Sequence, residues 1–117
     1  MPIELTVGEN PVKLMANIDT GAHCCIFQRQ YGEALGLNIE SGERKQIGQV
    51  DGHFFVYGHS VNVSCLGLSI ESIVYFAEKY SMNRNVLGRR GWLDLVRMAI
   101  VHYDANLYLS NYNDSDE

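Results

Sequence analysis

Between Ala16 and Phe27 the chain reads ANIDTGAHCCIF, which places a carboxylate, an imidazole and two thiols side by side. Two chemistries compete for this stretch. In one, Asp19 is a working carboxylate. In the other, His23, Cys24 and Cys25 make a thiol or metal site and Asp19 only turns the chain. A cysteine nucleophile needs a base within hydrogen-bond reach, and His23, His53, His59 and His102 are the imidazoles on offer. The surrounding residues match no nucleophile motif, and strand alternation places Cys25 and Cys65 as small buried hydrophobes. Zinc favours spaced pairs such as C-x-x-C, whereas neighbours in an extended segment point to opposite sides. The expectation is no metal and no cofactor.

The carboxylate reading has more context. Asp-Thr-Gly alone is short enough to arise by chance, and it equally describes a strand ending in a turn with Asp capping its own backbone. Here, however, it follows an apolar strand (Leu14, Ala16, Ile18) and precedes the small Ala22. Far downstream stands a second apolar-apolar-glycine segment, Val86-Leu87-Gly88.

The elements that must position these groups are short. Ile3 to Val7 alternates apolar and polar, as a half-buried strand does, and Gly8 to Pro11 breaks it. Val12 to Ile18 then runs directly into Asp19, so the two segments form a predicted hairpin. Gln30 to Leu35 has a helical pattern with Gly36 placed to stop it, and Asn38 to Gly42 is turn chemistry. RKQIGQV and HFFVYGHSV are joined by Asp51-Gly52, a strong hairpin signal because both central positions of a type I′ turn need positive φ. Ser60 to Cys65 alternates again, with Val61, Val63 and Cys65 on one face. Ile70 to Phe76 is a β-branched and aromatic run, NVLG is a short strand, and GWLDL is one helical turn. RMAIVHY and LYL form a last hairpin about 104–106.

Seven or more short strands against one or two short helices predict a mostly-β barrel or sandwich. The 117 residues suit one domain, taken as 1–109, followed by a polar acidic tail, 110–117. A formal net charge of -5 speaks against nucleic-acid and anionic-membrane partners. No apolar run approaches the roughly 20 residues of a membrane span. Three cysteines, two of them adjacent, make no disulfide framework, so a reducing, cytoplasmic setting is expected.

NIDTGA, the hairpin about Asp51-Gly52 and NVLGRRGWLD together resemble a retropepsin-type aspartic protease, in particular the small bacterial retropepsin-like proteins. The resemblance runs from about Ile3 to Leu109 and is most specific in the pairing of D-T-G-A with the later L-G-R. It implies a closed, mostly-β acid-protease barrel that is active as a symmetric homodimer. It also implies an endopeptidase in which water is activated by two copies of Asp19. Two carboxylates about 3 Å apart cannot both ionise freely, so one holds the proton that the other lacks. The chain carries one D-T-G, and Asp51, Asp94, Asp104, Asp114 and Asp116 lack a matching setting. A second copy must therefore supply the other half.

By the same resemblance Thr20 reaches across to the partner's loop. Gly21 and Ala22 permit its close approach, and Gly88 packs beneath the catalytic loop. The hairpin from Lys45 to Ser60 is flap-like. Val50, Asp51, Gly52, Phe54 and Phe55 fall there as substrate-binding candidates, with ordinary hairpin core packing as the competing role for the aromatics. Retroviral members carry an acidic residue where this chain has His23; it binds substrate and pairs with the arginine matched by Arg89. His23 and Arg89 thus remain substrate-binding candidates with an altered partnership, and a protonated His23 would favour ionised carboxylate nearby. The expected partners are a second copy and an extended polypeptide. The alternative is a catalytically silent dimerisation or peptide-binding module.

Overall fold

The computed structural model describes residues 1–49 and 52–97. Two antiparallel strands, β1 (Pro2–Val7) and β2 (Asn10–Met15), form the first hairpin, with Ile3 opposite Leu14 and Leu5 opposite Val12. Ile3, Leu5 and Leu14 are buried, as the alternation demands. The run into Asp19 is not one strand. Ala16 interrupts it, and β3 (Asn17–Ile18) leaves the hairpin for another partner. The Ala16 amide donates to the Met1 carbonyl at 2.9 Å, and the next amide, that of Asn17, donates to Asn85 at 2.9 Å.

After β4 (Ile26–Phe27) comes the helix α1 (Arg29–Ala34). Its end is a Schellman arrangement. The Leu37 amide donates to Gly32 at 3.1 Å and the Gly36 amide to Glu33 at 2.9 Å, with Gly36 at φ +83°, where a side chain would be strained. The predicted turn at Asn38 to Gly42 contains a 3-10 turn over Ile39–Ser41 that buries Ile39.

β5 (Glu43–Gln49) and β6 (Gly52–Cys65) form the long hairpin. Gln49 pairs with Gly52, so Gly52 is a strand residue rather than a central turn residue. Val50 and Asp51 lie outside the described residues. Ser60 to Cys65, expected as a strand of its own, is the second half of β6, which runs unbroken through Gly58 and pairs with β7 (Leu68–Ala77) along ten residue pairs from Val56↔Ala77 to Cys65↔Leu68. Val61, Val63 and Cys65 share the buried face as expected. β8 (Val86–Leu87) follows, and residues 93–97 are helical, as GWLDL suggested. The expected last hairpin and the 110–117 tail lie outside the described residues.

The sheet order is β2-β1-β6-β7-β4-β8-β3, with β5 on β6. Its two ends, β2 and β3, are consecutive in the chain, so the sheet curls round on itself into a half-barrel. Leu5, Phe27, Val63, Val74, Phe76 and Leu87 have no exposed surface and fill the inside. Each such side chain contributes about 1.5–3 kcal/mol relative to exposure. No helix among the described residues is long and apolar enough to cross a membrane.

Candidate active site

Two parallel pairings bring the separated motifs together. β3 lies beside β8, with Asn17 opposite Val86 and Ile18 opposite Leu87, and the Asp19 amide extends the ladder by donating to the Leu87 carbonyl at 3.0 Å. Just beyond, Arg89 donates its amide to Ala22 at 3.0 Å and Arg90 to His23 at 2.9 Å, and Cys24 bridges to Arg90. The loop carrying Asp19 is thereby tied to the L-G-R segment at both ends. Gly88 lies underneath it, buried, where a Cβ would stand 2.9 Å from the Ala22 carbonyl oxygen and still closer to the Cys24 carbonyl.

Within the loop, the Gly21 amide donates to Asp19 Oδ1 at 2.9 Å, and the Ala22 amide donates to the Asp19 carbonyl at 3.1 Å. This is the self-capping turn expected of Asp at a strand end. It fixes the carboxylate rather than competing with a chemical role, because Oδ2 stays outside the turn. The Asp19 side chain is 43% exposed, and Arg84 Nη2 stands 3.7 Å from Oδ2. Thr20 and Gly21 are exposed, as is Ile18 just before them.

The carboxylate opens into a cleft of about 450 Å³. It is lined by Gly21, Ala22, His23 and Cys24 of the same loop, by Ile47, Gly48 and Phe54 of the β5–β6 hairpin, and by Ile26, Met82, Arg84 and Val86. Asp19 is the only carboxylate among these lining residues. Of the sequence candidates, Asp19, Gly21, Ala22, His23 and Phe54 thus meet at one cavity. Gly88 supports it from below. Phe55, Gly52 and Arg89 do not line it. Phe55 alternates to the other side of β6, lies beneath Arg44 with the guanidinium carbon 3.7 Å from its ring centre, and lines a neighbouring hollow with His53. Ile47, Met82 and Arg84 were not singled out by the sequence reading.

The electrostatics of His23 run opposite to a protonated imidazole. The Arg90 guanidinium foremost, then desolvation, then Lys45 and Arg89, lower its pKa below the ordinary 6.5, and Asp94 opposes them. The thiols are quiet. Cys24, Cys25 and Cys65 are all free and buried. Burial pushes Cys25 up to about 11 and raises the other two. No cluster of three or more His, Cys, Asp or Glu side chains suited to a metal occurs among the described residues.

No protein-family model and no curated protein matches this chain. Among solved structures, the chain is similar to EIAV protease complexed with the inhibitor HBY-793, with a TM-score of 0.58 and 20% sequence identity over 85% of each chain. The fold is therefore that of a retropepsin half, mostly strand, with two short helical segments besides the 3-10 turn among the described residues.

Proposed function

We propose that this chain is an aspartic endopeptidase of retropepsin type, akin to the small bacterial members, that works as a symmetric homodimer in a reducing, cytoplasmic setting. Residues 1–109 would form the catalytic domain and 110–117 a polar acidic tail. One observation carries the reading: a turn-locked, half-exposed Asp19 is the one carboxylate among the described residues lining a cleft to which the β5–β6 hairpin contributes Ile47, Gly48 and Phe54. Hydrolysis of an amide without metal or covalent intermediate needs a base for water and an acid for the substrate. A lone carboxylate supplies one of these. A second copy related by a two-fold axis supplies the other.

In the dimer, the ionised member of the Asp19 pair takes a proton from the water held between them, and the resulting hydroxide adds to the scissile carbonyl carbon. The protonated member gives its proton to the carbonyl oxygen. Collapse of the tetrahedral diol breaks the C–N bond, with a proton passing to the departing nitrogen. The pair titrates as a unit. Exposed Thr20 and Ile18 border Asp19 and would meet the partner's loop, while Gly21 and Ala22 keep that approach free of bulk. The β5–β6 hairpin, with Val50, Asp51 and Gly52 at its end, would close as a flap over an extended peptide, with Phe54 against an apolar side chain. His23, at the cleft wall, would border the substrate's backbone, and Arg89, outside the cleft, would act on it only through the loop it holds.

The test is cleavage of an unstructured protein between pH 4 and 7, with solution mass measured in parallel. Activity should vanish in Asp19→Asn with the dimer retained, and specific activity should fall on dilution as dimers dissociate. Cleavage that survives Asp19→Asn overturns the mechanism. Absence of cleavage in both forms, with a dimer present, leaves the binding module.

A further inference from the structure

Among the described residues, Arg84 is the one arginine or lysine that lines the Asp19 cleft, and it is held there by a clamp of amides. The Gln28 side chain donates to Asn83 Oδ1 at 3.1 Å and accepts from Asn85 Nδ2 at 2.9 Å. The Gln28 backbone amide donates to Asn85 Oδ1 at 2.9 Å, and the Asn85 carbonyl accepts from Asn17. Both chain neighbours of Arg84 are thus fixed to the start of α1. The guanidinium itself is free to be used, with a side chain 64% exposed and a separation of 3.7 Å from Asp19 Oδ2. That is long for a hydrogen-bonded ion pair, and an exposed pair of this kind holds weakly.

At the neighbouring His23 the cations outweigh Asp94. Lys45, Arg89 and Arg90 all act on His23, which lines the same cleft. Glu43 and Asp94 line a separate hollow on the other side of Cys24 with Lys45 and Arg90. Arg84 is thus the cation that a peptide in this cleft meets directly. An extended peptide with its scissile bond at Asp19 sends the flanking side chain into this wall. A carboxylate there would meet a planar guanidinium under a closing hairpin, where a charge-assisted hydrogen bond is strongest.

Resting on the endopeptidase reading, we propose that Arg84 is a specificity-determining residue that selects substrates carrying Asp or Glu within about two residues of the scissile bond. Substrate carboxylate replaces Asp19 as the partner of the guanidinium, which frees Asp19 for its shared proton. Acidic, unfolded polypeptides are the substrate class that follows.

The experiment digests a mixture of denatured polypeptides with the full chain and reads the residues around each cut by mass spectrometry. Asp and Glu should be enriched at one position beside the cut, and Arg84→Glu should replace them with Lys and Arg there. For a matched peptide pair, Glu→Gln at that position should lower kcat/KM about tenfold with the native chain and less than twofold with Arg84→Gln. A role for Arg84 in folding alone predicts lower activity with an unchanged profile, and that outcome overturns the proposal while leaving the endopeptidase intact. Cuts that persist in Asp19→Asn, or no cuts at all, overturn the endopeptidase reading and this inference with it.

Discussion

Gly88 sits so close beneath Cys24 that a methyl group at its Cα would overlap the Cys24 carbonyl and stand 2.9 Å from the Ala22 carbonyl oxygen. Both obstacles are backbone atoms of the loop that carries Asp19. A flexible side chain could swing away; these carbonyls cannot, because the chain around them is tied to Arg89 and Arg90. The glycine is therefore a condition for the loop's geometry.

Gly88→Ala is accordingly expected to destabilise the chain by about 1–3 kcal/mol, the cost of overpacking a well-filled site. Urea unfolding measures it. Gly48→Ala is the comparison, since nothing lies within 4 Å of a Cβ there, and its effect should stay within about 0.5 kcal/mol. Equal midpoints for the two variants would remove the packing argument. Any proteolytic activity should fall further in Gly88→Ala than in Gly48→Ala, because the former must displace Asp19's loop.

Much of this architecture is legible in the sequence, for physical reasons that differ by element. Ile3, Leu5 and Leu14 alternate against solvent, so the first hairpin is visible locally. Gly36 marks the helix end because only glycine takes the Schellman position easily. The junction of Asp19 with Leu87 depends on a parallel pairing between distant strands, which no local pattern encodes; the recurrence of an apolar-apolar-glycine segment hinted at it. HFFVYGHSV reads as one run and is one, but β6 also carries on to Cys65, because its ladder to β7 is unbroken through Ser60. Gly52 reads as a turn centre, yet it pairs with Gln49 in the ladder, since the dipeptide signal takes no account of register. Arg84 was invisible: it has no motif of its own and reaches Asp19 only through the placement of Asn83 and Asn85.

His23 offers a pH test whose sign is fixed by its neighbours. Arg90 and the other cations disfavour its charged form, so its folded-state value lies below the 6.5 of an ordinary imidazole. As pH falls, the unfolded chain takes up this proton first. The contribution to stability is therefore present above 6.5 and is lost as pH falls through the folded value. The site is exposed, so the effect on stability is small and salt-sensitive. The imidazole titration followed by NMR should have its midpoint below 6.5 and move upward in Arg90→Gln. A midpoint at or above 6.5 in the native chain would contradict this account and restore the protonated imidazole.

The thiols give the cleanest separation between the two chemistries that compete for ANIDTGAHCCIF. Cys24 lies at the wall of the Asp19 cleft, yet it is 3% exposed, and Cys25 behind it has its thiol within sulfur hydrogen-bond range of the Gly88 and Arg90 carbonyls. Burial raises all three cysteines, Cys25 to about 11, so little thiolate exists at pH 8. Iodoacetamide should therefore label the native chain slowly and label three thiols after unfolding in urea. Brief treatment of the native chain should leave hydrolysis unchanged, whereas Asp19→Asn removes it. Rapid labelling of one cysteine accompanied by equal loss of cleavage would transfer the chemistry from the carboxylate to sulfur.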